Sequence, residues 1–300
     1  SKSRGRGISI ENDLRVILEK LHADEKLVAQ RYIEYPLLIL QRKFDIRQWV
    51  LVTSINPLIV WRYSHYYLRF SSVEYSTQLG EGYKFAHLTN QSIQKKCDTY
   101  GSAIEGNMWS REQFHSHLVQ QLGAEAGATA AAGIEEQINE IVSCTLRSVC
   151  DVVEPRTAAF ELYGLDLMVD RAHRVWLLEA NSSPDMSRSA APLRRIVDEG
   201  LDDLVDVVLD LQQKRVPVAK LSAEREKRAG ACWRLAYKGR AIEETELMRR
   251  RFRKKCGVDA LTVTRALAAG TGGPPPAGAA RGGEVSSRKG TGLGAKVLWN

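Results

Sequence analysis

No stretch of eighteen or so apolar residues occurs in the chain, so no membrane-spanning helix is expected. The opening SKSRGRGISI has no apolar h-region and does not read as a signal peptide. Neither GxxxxGKS/T nor GxGxxG occurs, which excludes the P-loop and dinucleotide-fold routes to a nucleotide. The five cysteines (Cys97, Cys144, Cys150, Cys232 and Cys256) are scattered, odd in number and without a CxxC pair. That pattern indicates neither zinc nor a disulfide framework and reads as the reduced thiols of a cytoplasmic protein. There is no initiator Met, and the chain opens inside a glycine–arginine loop, so a start upstream of Ser1 is expected.

What is present is a globular composition of 300 residues, 44% hydrophobic and 26% charged, enough for one sizeable core or two small ones. The net charge of +7 is unevenly placed. Residues 212–300 carry 20 basic and 7 acidic side chains, a net +13, whereas residues 1–211 carry −6. A basic C-terminal third fits an acidic polymer partner or a disordered basic tail.

The stretch Phe160–Asn181, FELYGLDLMVDRAHRVWLLEAN, reads as a β-hairpin. Its apolar strands, Leu162 to Val169 and Val175 to Ala180, are joined by the short polar link Asp170–Arg174. Asp166 is set into one strand, and Glu179 and Asn181 lie two apart on the other, hence on one face. A carboxylate within an apolar run is costly unless paired or bound to a cation. Three hard oxygen donors on one hairpin suit Mg²⁺; a hairpin with an exposed Asp and Glu at its mouth is the plain alternative.

Elsewhere, Ser3–Ile8 is a small-residue loop whose glycines and whose Arg4 and Arg6 suit phosphate. Asp13–Leu21 and Ile134–Cys150 read as amphipathic helices, as does Leu193–Leu211. Ser110–Leu122 opens with the capping box Ser110/Gln113. Val28–Ile33 and Phe44–Thr53 read as strands, and Lys43, Asp45 and Arg47 fall on one face of the second. His87 weighs as a satisfied structural histidine. The Gly/Ala-rich residues 123–133 read as a low-complexity insertion, and 268–293 as disordered.

Four blocks in order, SRGRGI (3–8), KFDIRQW (43–49), HLTNQSIQK (87–95) and FELYGLDLMVD with WLLEAN (160–181), resemble the tubulin–tyrosine-ligase-like family. Asn107–Ser110 and the FELYG variant look most like its glycine-ligating branch. The resemblance implies an α+β, ATP-grasp-like core, an antiparallel sheet flanked by helices, and it stops near Leu211; composition alone reads residues 212–300 as a largely disordered basic C-terminal tail, within which Ala223–Lys255 is charged and partly helical. The resemblance divides residues 1–211 into the end of a central subdomain (1–35) and a catalytic subdomain (36–211). It further implies an ATP- and Mg²⁺-dependent ligase adding glycine to glutamate side chains of tubulin through an acyl phosphate. Cytoplasm, cytoskeleton and ciliary axoneme are the implied locations.

Carried over residue by residue, the Mg²⁺ ligands would be Asp166, Glu179 and Asn181. The adenine hinge would be Gln30, Arg31, Tyr32 and Ile33. Lys43, Asp45, Thr89 and Asn90 would contact ATP, under a phosphate-covering loop holding Arg4 and Arg6. Arg47 and Arg69 would face the acceptor and the incoming amino acid. A lysine that the family places before SRGRGI would lie upstream of Ser1, as would an N-terminal domain. A tubulin glutamate ligase, an inactive microtubule-binding homologue and an arginine-rich nucleic-acid binder are the competing readings.

Overall fold

The computed structural model describes residues 8–23, 27–80, 82–186, 191–256 and 296–299. In chain order the elements are β1 (Ser9–Glu11), α1 (Leu14–Ala23), β2 (Val28–Arg31), β3 (Leu38–Ile39), β4 (Arg42–Ile55), β5 (Leu58–Tyr63) and β6 (Tyr67–Phe70). Two short helices, α2 (Lys84–His87) and α3 (Gln91–Gln94), precede a 3₁₀ turn at Glu105–Asn107 and β7 (Met108–Ser110). Then come α4 (Arg111–Leu122), α5 (Ala124–Val149), β8 (Glu161–Val169), β9 (Val175–Ser182), α6 (Ala191–Gln212), α7 (Val218–Lys227), β10 (Trp233–Lys238), α8 (Glu244–Cys256) and β11 (Lys296–Trp299). The chain divides into two units, residues 1–241 with 294–300, and residues 242–293. Helix α8 is what is described of the second.

The first unit is the α+β, ATP-grasp-like arrangement expected, built on antiparallel pairing. A small sheet runs β1-β11-β2, and a large one runs β10-β5-β4-β6-β7, with β3 and β8 also on β4 and β9 beyond β8. The 14-residue β4 is the axis. One of its edges pairs with β8 over Ile46–Val52, while the other takes β6 along its first half and β5 along its second.

Alternation decides what each face of β4 does. Phe44, Ile46, Val50 and Val52 point to one side, into a core closed by Phe114 and Leu118 of α4 and Ile134, Ile138, Val142 and Leu146 of α5. Burying each such side chain is worth about 1.5–3 kcal/mol. On the opposite side, Trp49 and Leu51 enter a second core with Trp61, Tyr63, Trp233 and the inward stripe of α6. The remaining length of that side carries Lys43, Asp45 and Arg47.

Two expectations are corrected. Residues 124–133 are no insertion; they are the first turns of the 26-residue α5. Their small side chains let α4 approach: a Cβ on Gly127 would lie 2.4 Å from Val119 Cα. Nor is the region from 212 to 256 largely disordered: α7 and α8 overlap the stretch read as partly helical, and β10 adds a strand between them. β10 pairs with β5 (Trp233↔Tyr63), and the Trp233 ring is fully buried and donates to the Gly200 carbonyl at 2.8 Å. The Asp203 carboxylate accepts from the backbone N–H of Cys232 (2.6 Å) and Trp233 (3.0 Å) and pairs with buried Arg225. Apolar anchors thus sit inside a charged stretch, where composition hides them. The segment expected to be disordered, 268–293, lies outside the described residues.

Candidate functional site

Four neighbouring strands carry the charged side chains in one row. Arg69 on β6 stands opposite Asp45 on β4, Arg47 on β4 opposite Asp166 on β8, and Asp166 opposite Glu179 on β9. Arg69 Nε donates to Asp45 Oδ1 at 2.8 Å, and its Nη2 reaches Asp166 Oδ2 at 2.9 Å. Arg47 grips Asp166 with two donors, at 2.6 and 3.3 Å. Asp45, Arg47, Arg69 and Asp166 are all buried. Burial pushes the Asp166 carboxyl up, but the two guanidiniums outweigh it and hold the group ionised well below the usual carboxylate range.

Glu179 reaches this row because of a bulge. Val175, Trp176 and Leu177 pair with Val169, Met168 and Leu167, and then Leu178 is left over, so that Glu179 pairs with Asp166 and Asn181 with Gly164. Had β9 alternated without a break, Glu179 would share the core-facing parity of Val175 and Leu177; the bulge at Leu178 re-aims it. The hairpin turn is held by Asp170, whose carboxylate accepts from Ala172 N–H (2.8 Å), Arg174 N–H (3.0 Å) and the Trp176 indole (2.9 Å). Gly164 leaves room at the far end, since a Cβ there would meet Pro184 at 2.8 Å and the Arg47 stem at 3.2 Å.

Asn181 Nδ2 donates to Glu179 Oε1 at 2.9 Å. The Glu179 carboxyl is nonetheless pushed up to about 7, chiefly by burial and further by the charge of Asp166, with which it shares a hydrogen bond. A half-buried carboxyl facing the buried Asp166 carboxylate marks where a cation would lower the energy. Among the described residues no cluster of three or more His, Cys, Asp or Glu is placed for a metal. Two carboxyls and an amide side by side on one hairpin nevertheless fit a hard divalent ion whose other ligands come from phosphate and water.

Two cavities meet at this row. The first, about 630 Å³, is lined by Gln30, Arg31, Tyr32, Ile33, Lys43, Asp45, His87, Thr89, Asn90, Asp166 and Glu179, with Ile10, Leu88, Met168 and Leu178 as its apolar walls. The second, about 1240 Å³, is lined by Arg47, Tyr67, Arg69, Asn90, Gln91, Lys95, Glu179 and Asn181 among others. Glu179 and Asn90 belong to both. Lys43 is buried between the Tyr32 hydroxyl (2.9 Å) and the His87 carbonyl (2.7 Å), and burial draws its ammonium down to about 8.

The structure therefore brings together every site residue named from the sequence except Arg4 and Arg6, which lie outside the described residues. Sequence reasoning missed His87, Met168 and Leu178 as wall residues. Position next to Thr89 and Asn90 was the available signal for His87; nothing marked Leu178, whose place depends on the bulge.

A profile of the tubulin-tyrosine ligase family matches residues 1–216. The chain is 40% identical over 246 residues to tubulin glycylase 3C of Tetrahymena thermophila, covering 81% of this chain and 22% of that protein. It is 43% identical over 227 residues to tubulin monoglycylase TTLL3 of Danio rerio (72% and 28%), and 39% identical over 220 residues to protein monoglycylase TTLL8 of Homo sapiens (70% and 25%). The chain thus spans about a quarter of the length of these curated relatives.

Proposed function

The chain belongs to the tubulin-tyrosine ligase family, and from that premise we propose that it is the catalytic portion of an ATP- and Mg²⁺-dependent glycine ligase acting on glutamate side chains of tubulin. The observation that carries this reading is the pair of cavities sharing Glu179. A nucleotide on one side and an acceptor carboxylate on the other would meet at a single wall of charge. The hinge Gln30–Ile33 with Met168 and Leu178 offers backbone polar groups beside apolar surfaces, which suits a purine. Lys43 and Asp45 lie deeper in the same cavity, Lys43 as a phosphate-side cation and Asp45 toward the ribose. Thr89 and Asn90 stand at the junction, and Arg4 and Arg6 would belong to a loop covering the phosphates.

A carboxylate is a poor acylating agent, so the acceptor glutamate oxygen would first attack the γ-phosphorus, forming an acyl phosphate and releasing ADP. The glycine amine would then attack the acyl carbon, the tetrahedral adduct would expel phosphate, and the amine would lose its proton as the isopeptide bond forms. Arg47 and Arg69, held rigid by Asp45 and Asp166, would orient the carboxylates and stabilise the oxyanion of that adduct. Asp166, Glu179 and Asn181 would hold Mg²⁺, which supplies charge neutralisation to the transferring phosphoryl group. Tubulin tails and free glycine are the proposed partners, on cytoplasmic and axonemal microtubules.

The glycylase and monoglycylase relatives support glycine rather than glutamate as the co-substrate. Radiolabelled glycine and glutamate offered in parallel to full-length protein and microtubules test it, with glycine incorporation expected; incorporation of glutamate alone would refute it. In the same assay Glu179→Gln is expected to slow ligation by about 10²–10³-fold or more, the scale of losing one preorganised electrostatic group.

A further inference from the structure

Lys43, Tyr32 and His87 form one buried unit on the wall of the first cavity, with exposures of 4%, 7% and 2%. An ammonium only donates, so the Tyr32 hydroxyl oxygen accepts from Lys43 at 2.9 Å. With its proton turned to His87 Nδ1, 2.7 Å away, rather than to the neighbouring Tyr75 hydroxyl, Tyr32 makes Nδ1 the acceptor. That leaves the proton of the ring itself on Nε2.

The imidazole cannot turn away. Tyr32 and Tyr75 pack edge-on against it with centroids at 5.4 Å, and Tyr83 lies at 6.2 Å. Nor does it charge readily, because burial and the neighbouring Lys43 draw it down to about 4. Nε2 is buried and has no protein partner. Buried donors are almost always satisfied, and this one belongs to a residue lining the cavity read above as the nucleotide site.

We propose that His87 is a nucleotide-binding residue: its Nε2–H donates to an acceptor of the bound nucleotide, while Tyr32 and the His87 carbonyl aim the remaining N–H of Lys43 at the same ligand. The proposal rests on the ATP-dependent reading of the first cavity. It predicts that affinity for nucleotide depends on a tyrosine hydroxyl and an imidazole N–H that look, in the empty protein, like packing groups.

The test uses full-length protein with Mg-ADP as probe, comparing unmodified protein with His87→Phe, which keeps an aromatic ring in the tyrosine cage, and Tyr32→Phe, which removes a single oxygen. The Kd for Mg-ADP is expected to rise about tenfold in His87→Phe, a change of roughly 1.4 kcal/mol, and several-fold in Tyr32→Phe. The KM for glycine is expected to stay the same. The melting temperature of ligand-free His87→Phe is expected to change little, since the unsatisfied Nε2 donor is removed while the Tyr32 hydroxyl loses its His87 acceptor. A Kd within twofold of the unmodified protein in both variants would overturn the proposal, as would a lowered melting temperature with unchanged Kd, the mark of a packing role. Should His87→Phe not fold, Tyr32→Phe decides alone. If the unmodified protein fails to bind Mg-ADP, the parent reading falls, and this one with it.

Discussion

The two faces of β4 show how one strand can be both scaffold and site. Phe44, Ile46, Val50 and Val52 are at most 2% exposed on one face, while Lys43, Asp45 and Arg47 are at most 7% exposed on the other. Burial is thus nearly equal, but its energetics are opposite. The apolar face gains from leaving water. The charged face is costly to desolvate and is tolerable because Asp45 and Arg47 are locked to partners on the next strands and Lys43 donates to the Tyr32 hydroxyl and the His87 carbonyl. A strand clamped from behind by α4 and α5 can hold such a row rigid, and rigidity is what a site that stabilises developing charge requires.

The largest expected effect comes from Asp166→Asn, which leaves Arg47 without its carboxylate and should cost about 3–5 kcal/mol in denaturant titration. On the other face, Ile46→Ala should cost about 2–5 kcal/mol by cavity formation yet spare the arrangement of charges, so activity per folded molecule should persist. Equal loss of specific activity in both variants would mean the faces are not separable.

The smallest effect is a pH dependence. Burial raises the Glu179 carboxyl from 4.5 to about 7, so the folded protein retains a proton that the unfolded chain releases in that window. This group's contribution to ligand-free stability is therefore fully present below 4.5 and is lost as pH rises through about 7. A bound divalent ion must displace the same proton, so Mg²⁺ affinity should rise over that interval. Glu179→Gln should flatten both curves, as read from melting temperatures with and without Mg²⁺.

Much of this was legible in the chain. Period-2 spacing correctly placed Lys43, Asp45 and Arg47 on one face, because strand alternation is local geometry and carries no tertiary term. The Ser110/Gln113 capping box at the head of α4 is present as read, again a local device. Residues 124–133 were misread, and β10 within the basic tail went unread, because composition reports the average of a segment. Gly127 and Trp233 matter through what stands opposite them, Val119 across the α4–α5 turn and Tyr63 far back in the chain.

The sequence by itself determined which residue types were available and which shared a strand face, since both follow from side-chain chemistry and backbone period. Only the tertiary structure decided that Asp166 and Glu179 look at each other, because one unpaired residue in β9 reverses parity and no spacing rule announces it. It alone also decided that Arg47 and Arg69 converge on a single aspartate, for that depends on β6, β4 and β8 lying side by side across nearly a hundred intervening residues.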